Sequence, residues 1–104
     1  MTPTPAPLED RDAAPVTWSV YMLECARGRL YTGIAIDVAA RFAKHCRGRG
    51  AAFTRANTPL RVIAAMPCGD RSAASKTESR LKKLRRPDKL RWAAQWPWTP
   101  HGAG

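Results

Sequence analysis

The sequence WSVYMLECARGRLYTGIAI at residues 18–36 contains two apolar runs joined by a short polar turn. Alternate residues of an extended chain face opposite sides of a sheet. The first run therefore places its side chains in two sets, with Trp18, Val20, Met22 and Glu24 on one face and Tyr21, Leu23 and Cys25 on the other. A run that is apolar on both faces is typical of a central strand. The turn at residues 27–29 and the second run at residues 30–36 complete a predicted β-hairpin.

The segment after the hairpin predicts a helix and a third strand. Asp37 is a good N-cap, because its carboxylate can accept hydrogen bonds from the free amides of a first helical turn. The helix is expected over residues 38–46. Residues 51–58 are polar and basic, as in a loop, and the apolar residues 60–66 are expected to form the third strand.

Two helices are predicted in the last third of the chain. Asp70 caps a long helix over residues 71–86, and Pro87 is expected to end it because proline has no amide hydrogen. A short helix follows at residues 88–95. The order β-β-α-β-α-α predicts an α/β (α+β) fold with a small three-stranded, antiparallel-type sheet flanked by helices.

The composition divides the chain of 104 residues into one domain and two tails. Residues 1–16 contain four of the nine prolines and little to bury, so they predict a flexible tail. Residues 17–95 form the predicted domain, and residues 96–104 a C-terminal tail. No apolar stretch approaches the roughly 20 residues that cross a bilayer, so no membrane association is expected.

The three cysteines predict a reducing compartment. A zinc site would need closely spaced pairs, and a disulfide framework would use an even number. The N-terminus has no basic segment leading into an apolar run, as a signal peptide would. These features predict a cytoplasmic protein.

The charge of the chain suggests a polyanionic partner. Lys and Arg number 18 against 8 acidic residues, so the net charge is +10. Since the first sixteen residues are acidic on balance, the remainder carries a net charge of +12. Nucleic acid is the leading candidate for the partner, whereas a merely soluble basic protein is the alternative.

Five residues supply groups suited to phosphodiester cleavage: Tyr21, Tyr31, Arg41, His45 and Glu78. The two tyrosines lie on neighbouring predicted strands and can converge on one sheet face. Arg41 and His45 lie one turn apart on the same helix face, and Glu78 is a lone acid within a basic helix. Phenols, a guanidinium and a carboxylate on a cationic scaffold can move protons, stabilise phosphoryl charge and bind a metal ion.

These residues, in this order, resemble the GIY-YIG nuclease superfamily, and in particular its small stand-alone bacterial branch of UPF0213-like proteins. The resemblance covers residues 19–90. It rests on the five residues above and on two motifs, Leu30-Tyr31-Thr32-Gly33-Ile34 and Gly69-Asp70-Arg71-Ser72. It implies a metal-dependent endonuclease that hydrolyses DNA with Mg²⁺, for which Mn²⁺ could substitute.

The resemblance also implies roles for the five residues. Glu78 would be the single metal ligand, and Arg41 would bind phosphate in the transition state. One tyrosine would accept a proton from the attacking water while the other positions the phosphate, and Tyr31 is preferred as the base. His45 would donate a proton to phosphate or to the leaving group.

Each of these residues also has a structural interpretation. Tyrosines are good strand formers, and a lone histidine is often structural. Arg41 is spaced to pair with Asp37 at i,i+4. Glu78 is spaced in the same way to pair with Lys82.

The basic residues around the site are candidates for contacts that carry no sequence information. The predicted nucleic-acid-binding residues are Gly33, Arg47, Arg49, Arg55, Lys76 and Lys82, with Gly33 allowing close approach at the end of a strand. Without a separate recognition domain, we expect cleavage at DNA structures rather than sequences, in DNA repair or processing. RNA is an alternative partner, and affinity could also come from self-association or a protein partner.

Three departures from the family pattern bear on catalysis, and two of them, Ile34 and the missing downstream asparagine, favour an alternative function. Ser19-Val20-Tyr21 replaces Gly-Ile-Tyr, and Ile34 stands where excision-repair members have a lysine or similar polar residue. Many family members carry an asparagine downstream of the metal-binding glutamate, whereas the only asparagine here, Asn57, lies upstream of Glu78. The alternative is a non-catalytic or partner-dependent nucleic-acid-binding module with the same fold.

Overall fold

A computed structural model describes residues 16–99. Three strands form one antiparallel sheet in the order β2-β1-β3: β1 Trp18–Cys25, β2 Leu30–Ala35 and β3 Pro59–Gly69. Four α-helices accompany it: α1 Val38–Cys46, α2 Ala52–Ala56, α3 Arg71–Lys82 and α4 Arg86–Gln95. A single 3-10 turn at Ala26–Gly28 joins β1 to β2. The predicted mixed fold with a three-stranded antiparallel sheet is confirmed, whereas nearly all of the predicted N-terminal tail lies outside the described residues.

Strand β1 is the central strand of the sheet, as its apolar pattern predicted. It pairs with β2 on one side and β3 on the other. One of its faces belongs to a core cluster formed by Tyr21, Leu23, Cys25, Ala35, Val38 and Val62. The other face contributes Met22 to a second cluster with Ala64 and Ala93. The sheet is therefore buried on both sides, with α1 and α2 packed on the first cluster and α4 on the second.

Helix α1 begins and ends where the sequence predicts. The Asp37 side chain accepts a hydrogen bond from the Ala40 amide at 3.0 Å, which satisfies one of the free amides of the first turn. Val38 and His45 are its buried residues. The capping residue therefore fixes the start of the helix that carries Arg41 and His45.

The predicted elements differ from the structure mainly at two places, and β3 also extends to Gly69 rather than residue 66. Residues 51–58 were expected to be a loop but contain the short helix α2. The long helix expected over residues 71–86 ends at Lys82, and Pro87 lies in the first turn of α4. Proline is tolerated there because the amide hydrogens of a first turn have no partner within the helix.

The predicted C-terminal tail begins with residues that belong to the domain. The Ala65 amide donates to the Trp96 carbonyl at 3.0 Å, Pro97 forms a bridge with Ala64, and Trp98 packs on the first core cluster. These contacts cover part of the outer edge of β3, which would otherwise present unpaired backbone groups. Residues 96–98, which the sequence analysis places in the tail, therefore pack on the domain.

Within residues 16–99, no helix is both long enough and apolar enough to cross a bilayer. The three cysteines are free thiols, with Cys25 buried, Cys46 exposed and Cys68 partly buried.

Candidate active site

Tyr21 and Tyr31 converge on one face of the sheet. In the β1–β2 register, Tyr21 lies opposite Gly33 and Tyr31 lies opposite Leu23. The two tyrosines are therefore diagonal neighbours on adjacent strands, and their ring centroids are 6.3 Å apart. The strand pairing produces the convergence that the sequence predicted.

Gly33 makes room for the Tyr21 side chain. A Cβ atom at position 33 would lie 2.7 Å from the Tyr21 Oη atom and 3.0 Å from Cε2 of Tyr31, closer than carbon atoms tolerate. Gly33 is itself buried. The glycine of the Tyr-x-Gly triplet is thus explained by the packing of two phenols, whereas the sequence analysis expected close approach of phosphate or neighbouring backbone.

A chain of buried hydrogen bonds begins at Tyr21. The Tyr21 Oη atom lies 2.8 Å from Nε2 of His45, and Nδ1 of His45 lies 2.7 Å from Oγ1 of Thr54. The Thr54 hydroxyl donates to the Ala51 carbonyl at 2.9 Å. Tyr21, His45 and Thr54 are each at most 2% exposed, so this chain is closed to solvent.

The directions of these bonds follow from the last one. The Thr54 hydroxyl uses its hydrogen on Ala51, so its oxygen accepts the hydrogen on Nδ1 of His45. A neutral imidazole carries one N–H, which leaves Nε2 as an acceptor. The Tyr21 hydroxyl therefore donates to His45.

Burial sets the protonation states of the three titratable groups in and beside this chain. Burial lowers the pKa of His45, and the positive charges of Arg41 and Lys44 lower it further. Burial raises the pKa of Tyr21 and, separately, that of Tyr31. At neutral pH, His45 is consequently a neutral proton acceptor and both tyrosines retain their hydroxyl hydrogens.

The position of His45 changes its expected role. It was predicted to donate a proton to phosphate or to the leaving group. Both of its ring nitrogens are engaged inside the protein, and its side chain is 2% exposed. In this conformation, His45 therefore accepts a hydrogen bond from Tyr21.

Charged side chains from two helices also affect the two phenols. The Arg41 charge lowers the pKa of Tyr21, and the Glu78 charge raises it. Burial has the largest effect on the pKa of Tyr31. The positive charges of Lys82 and Arg41 lower that pKa, and the negative charge of Glu78 raises it. Arg41 on α1 and Glu78 on α3 thus lie close to both tyrosines, although 37 residues separate them in the sequence.

The predicted salt-bridge alternative for Arg41 is absent from the described part of the chain. The Asp37 carboxylate caps α1, and no ion pair joins it to Arg41. Arg41 is exposed. Its charge acts on the phenol of Tyr21 beside it.

The predicted alternative for Glu78 is present. Its Oε2 atom lies 3.2 Å from Nζ of Lys82, with side-chain exposures of 20% for Glu78 and 54% for Lys82. An i,i+4 ion pair of this kind stabilises a helix by only about 0.3–0.5 kcal/mol. The same carboxylate also lies close enough to Tyr31 to raise its pKa. The position of Glu78 therefore allows both the ion pair with Lys82 and an electrostatic effect on the phenol.

The donor set around Glu78 restricts which metal could bind. The described residues contain no group of three or more His, Cys, Asp or Glu side chains placed to hold an ion. A closed zinc or calcium site is thus inconsistent with these residues. A single half-buried carboxylate does fit Mg²⁺, which keeps most of its water and completes its coordination with substrate phosphate.

The basic residues predicted to bind nucleic acid occupy different surfaces. Arg47, Arg49 and Arg55 are exposed around the end of α1 and along α2. Lys76, with Arg71, Ser72 and Ser75, lines a separate open cleft of about 430 Å³ along α3. None of the tyrosines lines that cleft.

Sequence reasoning missed the segment that supports the two tyrosines. The Phe53 ring stacks on Tyr31 with centroids 5.8 Å apart, Thr54 bonds His45, and Gly50 lies directly against the His45 ring. At the end of α2, Nη2 of Arg27 donates to Oδ1 of Asn57 at 2.7 Å. Neutral residues in a basic stretch gave no signal of these contacts, which depend on the tertiary fold.

Comparisons with known proteins agree with this geometry. A family model described as the GIY-YIG catalytic domain matches residues 17–91. The chain is 45% identical over 84 residues to the UPF0213 protein XAC3202 of Xanthomonas axonopodis pv. citri, covering 81% of this chain and 82% of that protein. It is 41% identical over 87 residues to the UPF0213 protein H16_B0156 of Cupriavidus necator, covering 84% of this chain and 95% of that protein.

A solved structure shows the same relationship. The solution NMR structure of the UPF0213 protein BH0048 from Bacillus halodurans matches this fold with a TM-score of 0.50 and 34% sequence identity. The match covers 82% of this chain and 89% of that one. The extent of the family match, the identity to these relatives and the shared fold lead to one conclusion: the chain belongs to the GIY-YIG family of nuclease domains.

Proposed function

We propose that this protein is a metal-dependent DNA endonuclease that hydrolyses phosphodiester bonds by attack of water on phosphorus. One observation carries the proposal: two phenols, an exposed guanidinium and a lone carboxylate meet at one place on the GIY-YIG fold. They come from two strands and two helices. Each group has a distinct task in the reaction.

Arg41 and Glu78 would handle the negative charge of the reaction. The planar guanidinium of Arg41 can bind two phosphate oxygens at once, and it is exposed beside the tyrosines. Glu78 would hold a Mg²⁺ ion, or Mn²⁺ in its place, which when bound offsets the charge that grows on the phosphate and leaving oxygens. The competing ion pair with Lys82 is weak enough to be displaced.

Tyr21 and His45 would handle the proton of the attacking water. As the water oxygen bonds to phosphorus, its proton would move to the Tyr21 oxygen, which substrate binding must first uncover, while the Tyr21 proton moves to Nε2 of His45 and leaves an imidazolium. The bond from phosphorus to the leaving oxygen breaks in the same displacement. Because Tyr21 gains one proton and loses another, it never becomes a phenolate, which its burial makes unfavourable.

This assignment replaces Tyr31, preferred from the motif, with Tyr21 as the base. The Tyr21 hydroxyl lies 2.8 Å from Nε2 of a neutral histidine, whereas the Tyr31 ring packs edge-on against that histidine. Tyr31 is more exposed than Tyr21 and keeps its hydroxyl hydrogen. It is therefore suited to donate a hydrogen bond to the phosphate.

The basic surface supports a DNA substrate chosen by shape. Exposed arginines around α1 and α2 can bind the phosphate backbone, and such contacts carry no sequence information. We therefore propose action on structural features of DNA, in cytoplasmic DNA repair or processing. Phosphate contacts do not by themselves exclude RNA.

A cleavage assay with an isosteric variant tests the proposal. Wild-type protein and Glu78→Gln, purified in the same way, would be incubated with labelled single-stranded, duplex and branched DNA. Each reaction would contain Mg²⁺, Mn²⁺ or chelator, and DNA affinity would be measured in parallel. We expect metal-dependent cutting by the wild type alone, with nearly unchanged affinity in the variant.

Two results would contradict this assignment. Cleavage by Glu78→Gln at the wild-type rate would remove Glu78 from the site. Binding without cutting in every condition would instead support the alternative, a nucleic-acid-binding module that keeps the fold without the chemistry.

A further inference from the structure

We propose that Thr54 is a positioning residue for the reaction, because it selects the His45 tautomer that can accept the Tyr21 proton. The inference rests on the proposed function for its effect on catalysis. Its structural part stands on hydrogen bonds within the chain. Neither the family match nor the relatives assign a role to Thr54.

The Thr54 hydroxyl can satisfy only one tautomer without loss. With its hydrogen on the Ala51 carbonyl, its oxygen presents lone pairs to Nδ1 of His45. If Nδ1 lost its hydrogen, two lone pairs would face each other at 2.7 Å. The hydroxyl would have to turn away from Ala51 to restore a bond, leaving that carbonyl without its hydrogen bond from Thr54. Thr54 therefore keeps the hydrogen on Nδ1 and the lone pair on Nε2, facing Tyr21.

Gly50 fixes the position of the same ring. A Cβ atom at position 50 would lie 2.0 Å from Nδ1 and 2.6 Å from Cε1 of His45. The imidazole thus rests against the backbone of Gly50, and no side chain larger than hydrogen fits there without moving it. Gly50 and Thr54 together define where His45 lies and which nitrogen carries its hydrogen.

The segment that carries Thr54 is held at its far end as well. A helix as short as α2 is not stable by itself in water. Arg27, in the β1–β2 turn, donates to Oδ1 of Asn57 at 2.7 Å, and Nδ2 of Asn57 donates to the Phe53 carbonyl at 3.0 Å. Asn57 is 5% exposed. These contacts fix α2 against the same hairpin that carries both tyrosines.

One segment therefore supports both phenols. Thr54 reaches Tyr21 through His45, and Phe53 stacks on Tyr31. The adjacent position of Phe53 and Thr54 couples the two contacts to one short helix. A change that removes only the Thr54 hydroxyl should affect Tyr21 and leave the stacking on Tyr31 in place.

The test compares Thr54→Val with Thr54→Ser in the full-length chain. Valine has nearly the shape of threonine but cannot accept from His45, whereas serine keeps the hydroxyl. Nitrogen NMR of ¹⁵N-histidine-labelled protein reports the tautomer directly. The chain has two histidines, so a His101→Gln variant assigns the His45 signals. Single-turnover cleavage and DNA affinity would be measured on the same proteins.

We expect wild type and Thr54→Ser to carry the hydrogen on Nδ1 of His45, and Thr54→Val to lose that preference. The cleavage rate of Thr54→Val should fall about tenfold at saturating DNA, with unchanged affinity. Thr54→Ser should recover most of the rate. This split would not arise if Thr54 served only to fold the chain.

The two measurements separate the possible failures. An Nδ1–H tautomer that persists in Thr54→Val would overturn the role of Thr54, whatever the activity. A tautomer change without any loss of cleavage would also overturn it, because His45 would then not serve Tyr21. If the wild type does not cut DNA, the tautomer arm still decides the structural assignment, and only the proposed function fails.

Discussion

The site has two sides that differ in burial and in chemistry. The closed side consists of Tyr21, His45 and Thr54, each at most 2% exposed and joined by hydrogen bonds of 2.7–2.8 Å. The open side consists of Arg41, Glu78 and Lys82, which are charged and at least partly exposed. Tyr31 lies between them, half-buried and near both.

This difference assigns the two halves of the reaction to different surroundings. Passing the proton through Tyr21 to His45 avoids a buried phenolate, although it places one positive charge on the buried imidazole, which burial makes costly. Charged groups must remain near water to receive a polyanion and a hydrated cation. The closed side is therefore suited to move the proton, and the open side to bind the phosphate.

The largest expected effect comes from the open side. Arg41→Ala should lower the cleavage rate by at least about 100-fold, roughly 3 kcal/mol, because phosphoryl charge in the transition state loses its partner. Folding stability should change by less than about 0.5 kcal/mol, since Arg41 is exposed. Single-turnover cleavage and urea unfolding measure the two quantities. Arg41→Lys keeps the charge without the planar fork and should fall between. A wild-type cleavage rate in Arg41→Ala would show that Arg41 does not take part in the reaction.

The closed side should respond in both activity and stability. Gly50→Ala places a methyl group against the His45 ring and should cost about 1–3 kcal/mol of unfolding free energy. We also expect the cleavage rate to fall, since His45 would move away from Tyr21. Gly48→Asn is a suitable control, because position 48 is exposed and has a positive φ of 75° that asparagine tolerates. Equal stability of Gly50→Ala and wild type would show that the ring can move freely.

The smallest expected effect is the change in folding stability with pH that results from the titration of His45. Burial lowers the pKa of His45 from its ordinary value near 6.5, so between the two values the unfolded chain binds more protons than the folded one. The free energy of unfolding should therefore fall as pH decreases below 6.5, by at most about 1.4 kcal/mol per pH unit, and this group should add no slope above 6.5. An NMR titration and urea unfolding at a series of pH values measure this. Titration of His45 at or above pH 6.5 would mean that it is not closed to solvent.

Much of the fold follows from local patterns. The alternation in residues 18–25 predicts the central strand and both of its faces, and Asp37 predicts the start of α1. Helix α2 did not follow, because a five-residue helix depends on contacts with distant residues such as Arg27. Pro87 was misplaced because proline is compatible with both the end and the first turn of a helix.

The residues of the site also fall into those that the sequence reveals and those that depend on tertiary contacts. The charged residues and tyrosines could be singled out from sequence because their chemistry is distinctive. Thr54 and Gly50 could not, since a hydroxyl and a missing Cβ gain meaning only when His45 is seen against them. The packing reason for Gly33 likewise becomes visible only when the strand register places it opposite Tyr21.

The assignment of proton transfer to the closed side is tested most directly by Tyr21→Phe against Tyr31→Phe. Single-turnover cleavage at saturating DNA, with Mg²⁺, would be compared for the two variants and the wild type. We predict a loss of at least about 100-fold for Tyr21→Phe, because the route to His45 is removed, and of about tenfold for Tyr31→Phe, which loses one hydrogen bond to phosphate. Wild-type cleavage by Tyr21→Phe, or a larger loss in Tyr31→Phe, would contradict it.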